Sequence, residues 1–332
     1  MTSLQLIDAG RSRRGWSRIG QLIKCAQLFA YQQRLNLQLI PASALTRGSM
    51  GHVMQAHLHA AWGCEQGGVM VDTEWHTDAS VFMDPYEAVA SYCDANGGHE
   101  HLDRMVETFD EYLKRHPEPP GRIIAVEWPL DAVLGYVEDV WGLWVIHPEE
   151  ANKVDHVCET IKAYDSRTIR VTPLEMPGHP DHGKPIYISR RCDMVVEERN
   201  KRTFIWDHKH QAMVSATRSV DAYAIDGGFA FFRLMGQQVF GSNFGGLLLN
   251  LIQTTSPFKV ARPTVPKTPH RDDHLPQLLW EAEHRLALLD TTNEDHWRWP
   301  KAMSETSCYG RYGACGGLKL CFYGESGTRY LR

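Results

Sequence analysis

Apolar positions recur at three- and four-residue steps near the start of the chain, where Ile19, Leu22, Ile23, Ala26, Phe29 and Ala30 form one stripe. That spacing predicts an amphipathic helix running from Ser17, its N-cap, to Tyr31, with Cys25 beside the stripe. A second stripe, Met50, Val53, Met54, His57, Leu58, Ala61 and Trp62, predicts a helix capped by Ser49 with His52 in its first turn. Asp84-Pro85-Tyr86-Glu87 is a helix start: an acidic cap, a proline at the first helical position, and a glutamate that satisfies free amides. That helix ends at Asn96-Gly97-Gly98, and another covers His99 to His116 before the break at Pro117–Gly121.

The pattern then changes period. Arg122-Ile-Ile-Ala-Val-Glu127-Trp128 reads as a buried strand with one acid near its end, and Val133–Ile146 as strand and turn. The stretch 155–167 fits no single period, and a proline-bearing loop spans Pro173 to Pro185. Two strands rich in β-branched and aromatic residues follow, Ile186 to Val196 and Thr203 to Lys209, joined by a polar run. A helix over 229–240, a continuously apolar strand over 245–252, a loop with four prolines (257–269) and a last amphipathic helix from Leu275 to Leu289 complete the pattern. The fold class expected is α/β, with a mixed central sheet flanked by helices and a hairpin–helix–strand core. One domain over 1–332 is expected, with a helical part at 17–62, a core at 122–253 and a C-terminal helix and cysteine segment at 270–325.

Composition narrows the class without fixing the chemistry. The 332 residues are 43% hydrophobic and 23% charged, as in a globular protein, and no apolar run approaches the ~20 residues of a membrane span. Arg11, Arg13 and Arg14 are followed by no apolar signal segment, so a cytoplasmic chain without a membrane partner is expected. The net charge of −5 argues against a broadly basic surface but leaves room for a local basic groove on nucleic acid. Eight cysteines in such a chain point to thiols or ligands more than to disulfides.

Chemistry concentrates in the hairpin. Asp193 lies seven residues before Asn200 and Asp207 seven after it, so a turn centred on Asn200 sets the two aspartates opposite each other on one face. Lys209, two residues on, projects from the same face. Opposed carboxylates repel, and a divalent cation or the Lys209 ammonium would offset that; hard oxygen donors favour Mg²⁺ or Mn²⁺. An exposed hairpin with charged outer residues has the same pattern. Near the C-terminus Cys308, Cys315 and Cys321 lie in a glycine- and tyrosine-rich segment. Three thiolates invite a soft metal, although the paired spacing of a structural zinc site is missing, and three structural thiols are the alternative.

Taken in order, these residues resemble the PD-(D/E)XK nucleases, and within them the iron–sulfur subgroup of RecB-like exonucleases found in CRISPR-associated, AddB-type and phage proteins. The resemblance rests on Ser17-x7-Cys25-x3-Phe29-x-Tyr31, Gly48-Ser-Met-Gly-His52, Val126-Glu127, Asp193, Asp207-His208-Lys209 and Gln237, together with the three late cysteines, and it covers residues 17–321. It implies a restriction-endonuclease-like core whose N- and C-terminal helical regions are joined at a [4Fe–4S] cluster held by Cys25, Cys308, Cys315 and Cys321, with [2Fe–2S] or zinc as alternatives. It also implies Mg²⁺ or Mn²⁺ on His52, Asp193, Asp207 and the backbone carbonyl of His208. Lys209 would act on the attacking water and the phosphate, with Glu127 and Gln237 in support.

The activity so implied is a metal-dependent deoxyribonuclease, an exonuclease on DNA ends or single strands in recombination, repair or phage DNA processing, in a bacterial or phage-infected cell. The alternative is a catalytically weak DNA-binding or structural subunit of a recombination or spacer-processing complex, with a recombination or replication protein as partner. The chain departs from the family pattern at three places. Arg190 stands where glycine is common three residues before the first aspartate, Asp207 stands where glutamate is also common, and Gly241 takes the tyrosine position of Gln-x3-Tyr.

Overall fold

The computed structural model describes residues 7, 15–37, 43–137, 140–146, 174–179, 181–184, 186–302, 305–310 and 313–323. It is an α/β protein with a mixed sheet flanked by helices. The chain divides into two compact units, each assembled from separated stretches: Met1–Ser12, Ser43–Leu130 and Arg190–Asp272 in one, and Arg13–Ala42, Asp131–Ser189 and Asp273–Arg332 in the other. The unit boundary between residues 42 and 43 falls inside the expected 17–62 region. Cys158 and the 155–167 stretch lie outside the described residues.

The sheet runs in the order β2-β1-β3-β5-β6-β7-β8. Its strands are β1 (Val69–Val71), β2 (Glu74–His76), β3 (Arg122–Val137), β5 (Ile186–Glu197), β6 (Thr203–Gln211), β7 (Phe244–Gln253) and β8 (Val260–Ala261). β4 (Val140–Ile146) pairs with residues 131–137 of β3, and β9 (Thr264–Val265) with β7. The two short strands β8 and β9 lie within the proline-rich stretch expected to be loop, because the prolines leave Val260, Ala261 and Thr264 free to pair at the edge of β7. β1 and β2 were not legible at three residues each.

In the first unit α3 (Ser43–Glu65) is the central helix. It begins six residues before the expected cap, so Ser49 is interior and His52 sits in the third turn, not the first. The residues before Ser49 include the good helix formers Ala44, Leu45 and Arg47, which carry the helix upstream. Ala56, Ala60 and Cys64 pack on Val69, Val71, Ile123, Val126, Met194, Val196 and Trp206 of the sheet. Met50 and Met54 pack on Val89 and Cys93 of α4 (Pro85–Asn96) and on Met105 and Phe109 of α5 (Leu102–Arg115). The start of α4 is as expected: Asp84 Oδ1 accepts the Tyr86 amide at 2.9 Å, and Gly97 ends the helix at φ 78°. β6 and β7 are parallel, joined through the helices Ala216–Ala224 and Gly227–Phe240. Among the described residues no helix is long and apolar enough to cross a membrane.

His57 on α3 is a buried neutral residue with a fixed tautomer. Its Nε2 accepts the Ile7 amide at 3.1 Å, so Nδ1 carries the proton, 3.2 Å from the Met83 carbonyl. Burial pushes its pKa down to about 4. Unfolded, the same imidazole titrates near 6.5, so stability is full above that pH and is lost as the pH falls toward 4. Urea unfolding at pH 7 and pH 5 is expected to show a loss about 2 kcal/mol larger for wild type than for His57→Asn. Equal losses would show that His57 is not the group being charged.

In the second unit α1 (Trp16–Lys24) and α2 (Ala26–Gln33) replace the single helix expected over 17–31. Gly15, not Ser17, is the N-cap, and the helix breaks at Cys25, which is extended (φ −161°, ψ 106°). The break has a tertiary cause. The Gln27 amide donates to the Pro300 carbonyl at 3.0 Å, and the Gln27 side chain donates to the His296 carbonyl at 2.8 Å. Phe29 stacks on Trp299 and Tyr31 tilts against Trp297, so the N-terminal helices pack on the segment that follows helix Leu275–Thr292.

Candidate metal centre

The β5–β6 hairpin has the register that the sequence predicts. The ladder runs from Glu197 opposite Thr203 to Met194 opposite Trp206, and one further step sets Asp193 opposite Asp207. The loop is centred on Asn200: the Glu198 amide donates to the Arg202 carbonyl, Asn200 Oδ1 accepts the Arg202 amide at 2.9 Å, and Lys201 takes the left-handed turn at φ 66°.

Beyond Met194 the ladder stops, and a side chain replaces a backbone acceptor. The His208 amide donates to Asp193 Oδ2 at 2.6 Å. That carboxylate oxygen is also 3.5 Å from His52 Nδ1 on α3. Glu127 completes the group. Its carboxylate, His52 and Asp193 offer ligand atoms within 4.8 Å of one another, the only such set of three among the described residues. Glu127 is buried and lies in the left-handed region at φ 48° within β3, directly after the last β1–β3 pair, Val71 with Val126. A non-glycine residue held there inside a strand costs about 1–3 kcal/mol, which is characteristic of a functional position.

Asp207 and Lys209 share the other part of the site. The Lys209 ammonium makes a close ion pair with Asp207 Oδ2 and lies 3.4 Å from the His208 carbonyl. Arg190 Nη2 stands 4.0 Å from Asp207 Oδ1. Burial works against the Lys209 charge, but Asp207 and Asp193 outweigh it and raise the ammonium's pKa. Burial lifts the Asp193 carboxyl above its ordinary value against the pull of His52, with Asp207 adding to the lift and Lys209 opposing it.

Strand alternation sends the intervening histidines to the other face. The His208 ring lies 5.0 Å from that of His59, and His210 fills the space beside Gly51, where a Cβ would collide with its imidazole. Burial pushes His59 and His210 down to about 3, and His208 well below its ordinary value.

The structure therefore gathers His52, Asp193 and Glu127 as one set, with Asp207, Lys209 and the His208 carbonyl adjoining it. Glu127, which sequence reasoning placed only in support, stands among the ligand atoms; a lone acid ending an apolar strand was its signal. Gln237 is exposed in the last turn of helix Gly227–Phe240 and makes no hydrogen bond or ion pair with these residues.

The second unit holds the cysteine set. Cys25, at the helix break, is half-buried, as are Cys308, Cys315 and Cys321, and none forms a disulfide. The Cys315 amide donates to the Cys308 carbonyl at 2.7 Å across the short pair Tyr309–Gly310 and Gly313–Ala314, and Cys321 lies on helix Leu318–Tyr323. Burial raises the Cys315 thiol, and the nearby Cys25 and Cys308 raise it further. Burial likewise raises Cys321, which bonds to the Tyr31 phenol, with Cys25 and Cys315 adding to the rise. No three of the four sulfurs lie within 4.8 Å of one another, so these thiols do not form a cluster-like arrangement. Cys64, Cys93 and Cys192 are buried in the other unit. Compared with known proteins, the chain matches no family model and no curated protein.

Proposed function

We propose that the chain is a metal-dependent DNA nuclease, an exonuclease acting on ends or single strands. The observation that carries this reading is the convergence of His52, Glu127 and Asp193 within 4.8 Å, next to an Asp207–Lys209 pair on the same hairpin. One imidazole and two carboxylates suit Mn²⁺ as well as Mg²⁺. A helix on the sheet, the β5–β6 hairpin, the crossover helix and parallel β7 also support a restriction-endonuclease-like core.

His52, Glu127 and Asp193 would hold the cation, with Asp207 the next carboxylate. Bound there, it would polarise the scissile phosphate and lower the pKa of the attacking water. Asp193 accepts the His208 amide, which fixes its carboxylate at the end of the β5–β6 ladder. Lys209, held by Asp207, is an ammonium and not a free amine. Its role would be to orient the attacking water and to stabilise charge building on the phosphate.

The proposal of a cluster in the second unit rests on donor chemistry, four free thiols at Cys25, Cys308, Cys315 and Cys321. One tetrahedral zinc ion would draw its sulfurs to roughly 3.8 Å apart. Four thiolates also suit a [4Fe–4S] group, whose role would be structural.

The test is an anaerobic preparation, with iron and sulfide quantified, assayed on end-labelled single-stranded and duplex DNA with Mg²⁺ and Mn²⁺. Metal-dependent release of the label is expected, and chelation should stop it. The second reading, a weakly catalytic DNA-binding subunit in a recombination or replication assembly, is favoured by the two cations that already flank Asp207. Binding without cleavage in the same assay would select it.

A further inference from the structure

The nuclease reading leaves Arg190 without a task. Its guanidinium lies over the Phe232 ring, 4.1 Å from the centroid, with the Phe229 ring at 6.0 Å. Asp207 Oδ1 is 4.0 Å from Nη2, beyond hydrogen-bond length, while Lys209 makes the close contact with the other oxygen. The Nε of Arg190 is buried and makes no hydrogen bond. Gly228, at the start of helix Gly227–Phe240, gives this side chain its place, since a Cβ there would collide with Nη1. Arg190 is thus stacked and oriented, with donors facing Asp207 that no acceptor fully uses.

Glu127, Asp193 and Asp207 are three carboxylates, and Lys209 and Arg190 are two cations, so the ionised site carries one net negative charge. A divalent ion would turn that into one net positive charge, the complement of a single phosphodiester. Without Arg190 the loaded site would be neutral, one positive charge short of that complement.

We infer that Arg190 binds a non-bridging oxygen of the substrate phosphodiester, and that Asp207 is its resting partner. This rests on the nuclease reading. The planar fork matches two phosphate oxygens, and the Phe232 stack fixes its plane before substrate arrives. A residue that merely neutralised Asp207 would behave differently. Its loss would weaken ion and DNA binding alike, through a disordered carboxylate. A phosphate ligand, once removed, leaves ion binding unchanged or tighter, because a nearby positive charge has gone, and weakens DNA binding alone.

Wild type, Arg190→Ala and Arg190→Lys are therefore titrated with Mn²⁺ by calorimetry. The same proteins are titrated with labelled single-stranded and duplex DNA in Ca²⁺ over a range of salt. Arg190→Ala is expected to bind DNA roughly tenfold more weakly. Its log–log salt slope on duplex should be shallower by about 0.9, the value of one phosphate contact. Its Mn²⁺ affinity should be at or above wild type, and Arg190→Lys should fall between the two on DNA. Gly228→Ala, which displaces the guanidinium without removing its charge, should reproduce the DNA defect if Arg190→Ala does not fold. Wild-type DNA affinity and slope in Arg190→Ala would overturn the inference, as would parallel loss of Mn²⁺ and DNA binding. A wild-type chain that binds both without cleaving, with the Arg190 effects as expected, would overturn the nuclease reading and leave this inference standing. A chain that binds neither would overturn both.

Discussion

Lys209→Ala is expected to lower metal-dependent cleavage by roughly 10²–10³-fold while DNA binding stays close to wild type. The ammonium sits on the face of β6 that carries Asp207 and over the Tyr223 ring at 5.7 Å, so it has a fixed direction before any substrate arrives. Charge builds on the phosphate as the water attacks, and a preoriented cation lowers the barrier more than it raises ground-state affinity. The effect should therefore appear in kcat and not in KM.

Removing one member of a buried ion pair ordinarily costs stability, because the other charge is stranded. Here Arg190, 4.0 Å from Asp207, already offsets the stranded charge from where it stands, so the fold should survive the change. Thermal unfolding of the variant separates the two effects. A rate lost in proportion to folded protein would make Lys209 a structural residue, and full cleavage by Lys209→Ala would end its catalytic assignment.

The hairpin was legible because symmetry about Asn200 fixes a register without any knowledge of the neighbours. A one-residue slip would have moved every apolar residue of β5 and β6 to the other face. The Asp84-Pro85 start of α4 was legible for a similar reason, since its cap depends on residues within one turn. Cys25 shows the opposite case. The stripe from Ile19 to Ala30 continues in phase across it, so periodicity predicts one helix. The break is imposed by the Pro300 carbonyl, which lies far along the chain and takes the Gln27 amide. Glu127 was half-legible. An acid ending a buried strand signals an unusual position, but only the turn of the backbone at φ 48° brings its carboxylate to His52 and Asp193. Arg190 was visible as a departure from a family pattern, and its stack on Phe232 is a tertiary fact.

Cys25→Ser should give a colourless protein whose second unit is loosened, not merely an inactive enzyme. Gln27 bonds to Pro300 and His296, Phe29 stacks on Trp299, and Gly317 packs closely on Tyr31 and Leu28. With the Arg34–Asp290 ion pair, these contacts close a loop of roughly 280 residues between Cys25 and Cys308, a closure that costs chain entropy. Ligand bonds to a shared group would add to that packing and link metal binding to the folding of these segments. Serine keeps the size and a polar group at the helix break but cannot match the soft sulfur, so the variant isolates ligation from packing. The measurements are visible absorbance, iron, sulfide and zinc content, and limited proteolysis of anaerobically purified protein. Cleavage sites should open within α1, α2 and the segment after Trp299, while Cys93→Ala, whose thiol lies in the α4 core, should keep its colour. A colourless wild type carrying one equivalent of zinc would replace the cluster with a zinc site. A metal-free wild type, protected as well as Cys25→Ser, would leave the four cysteines as packing thiols.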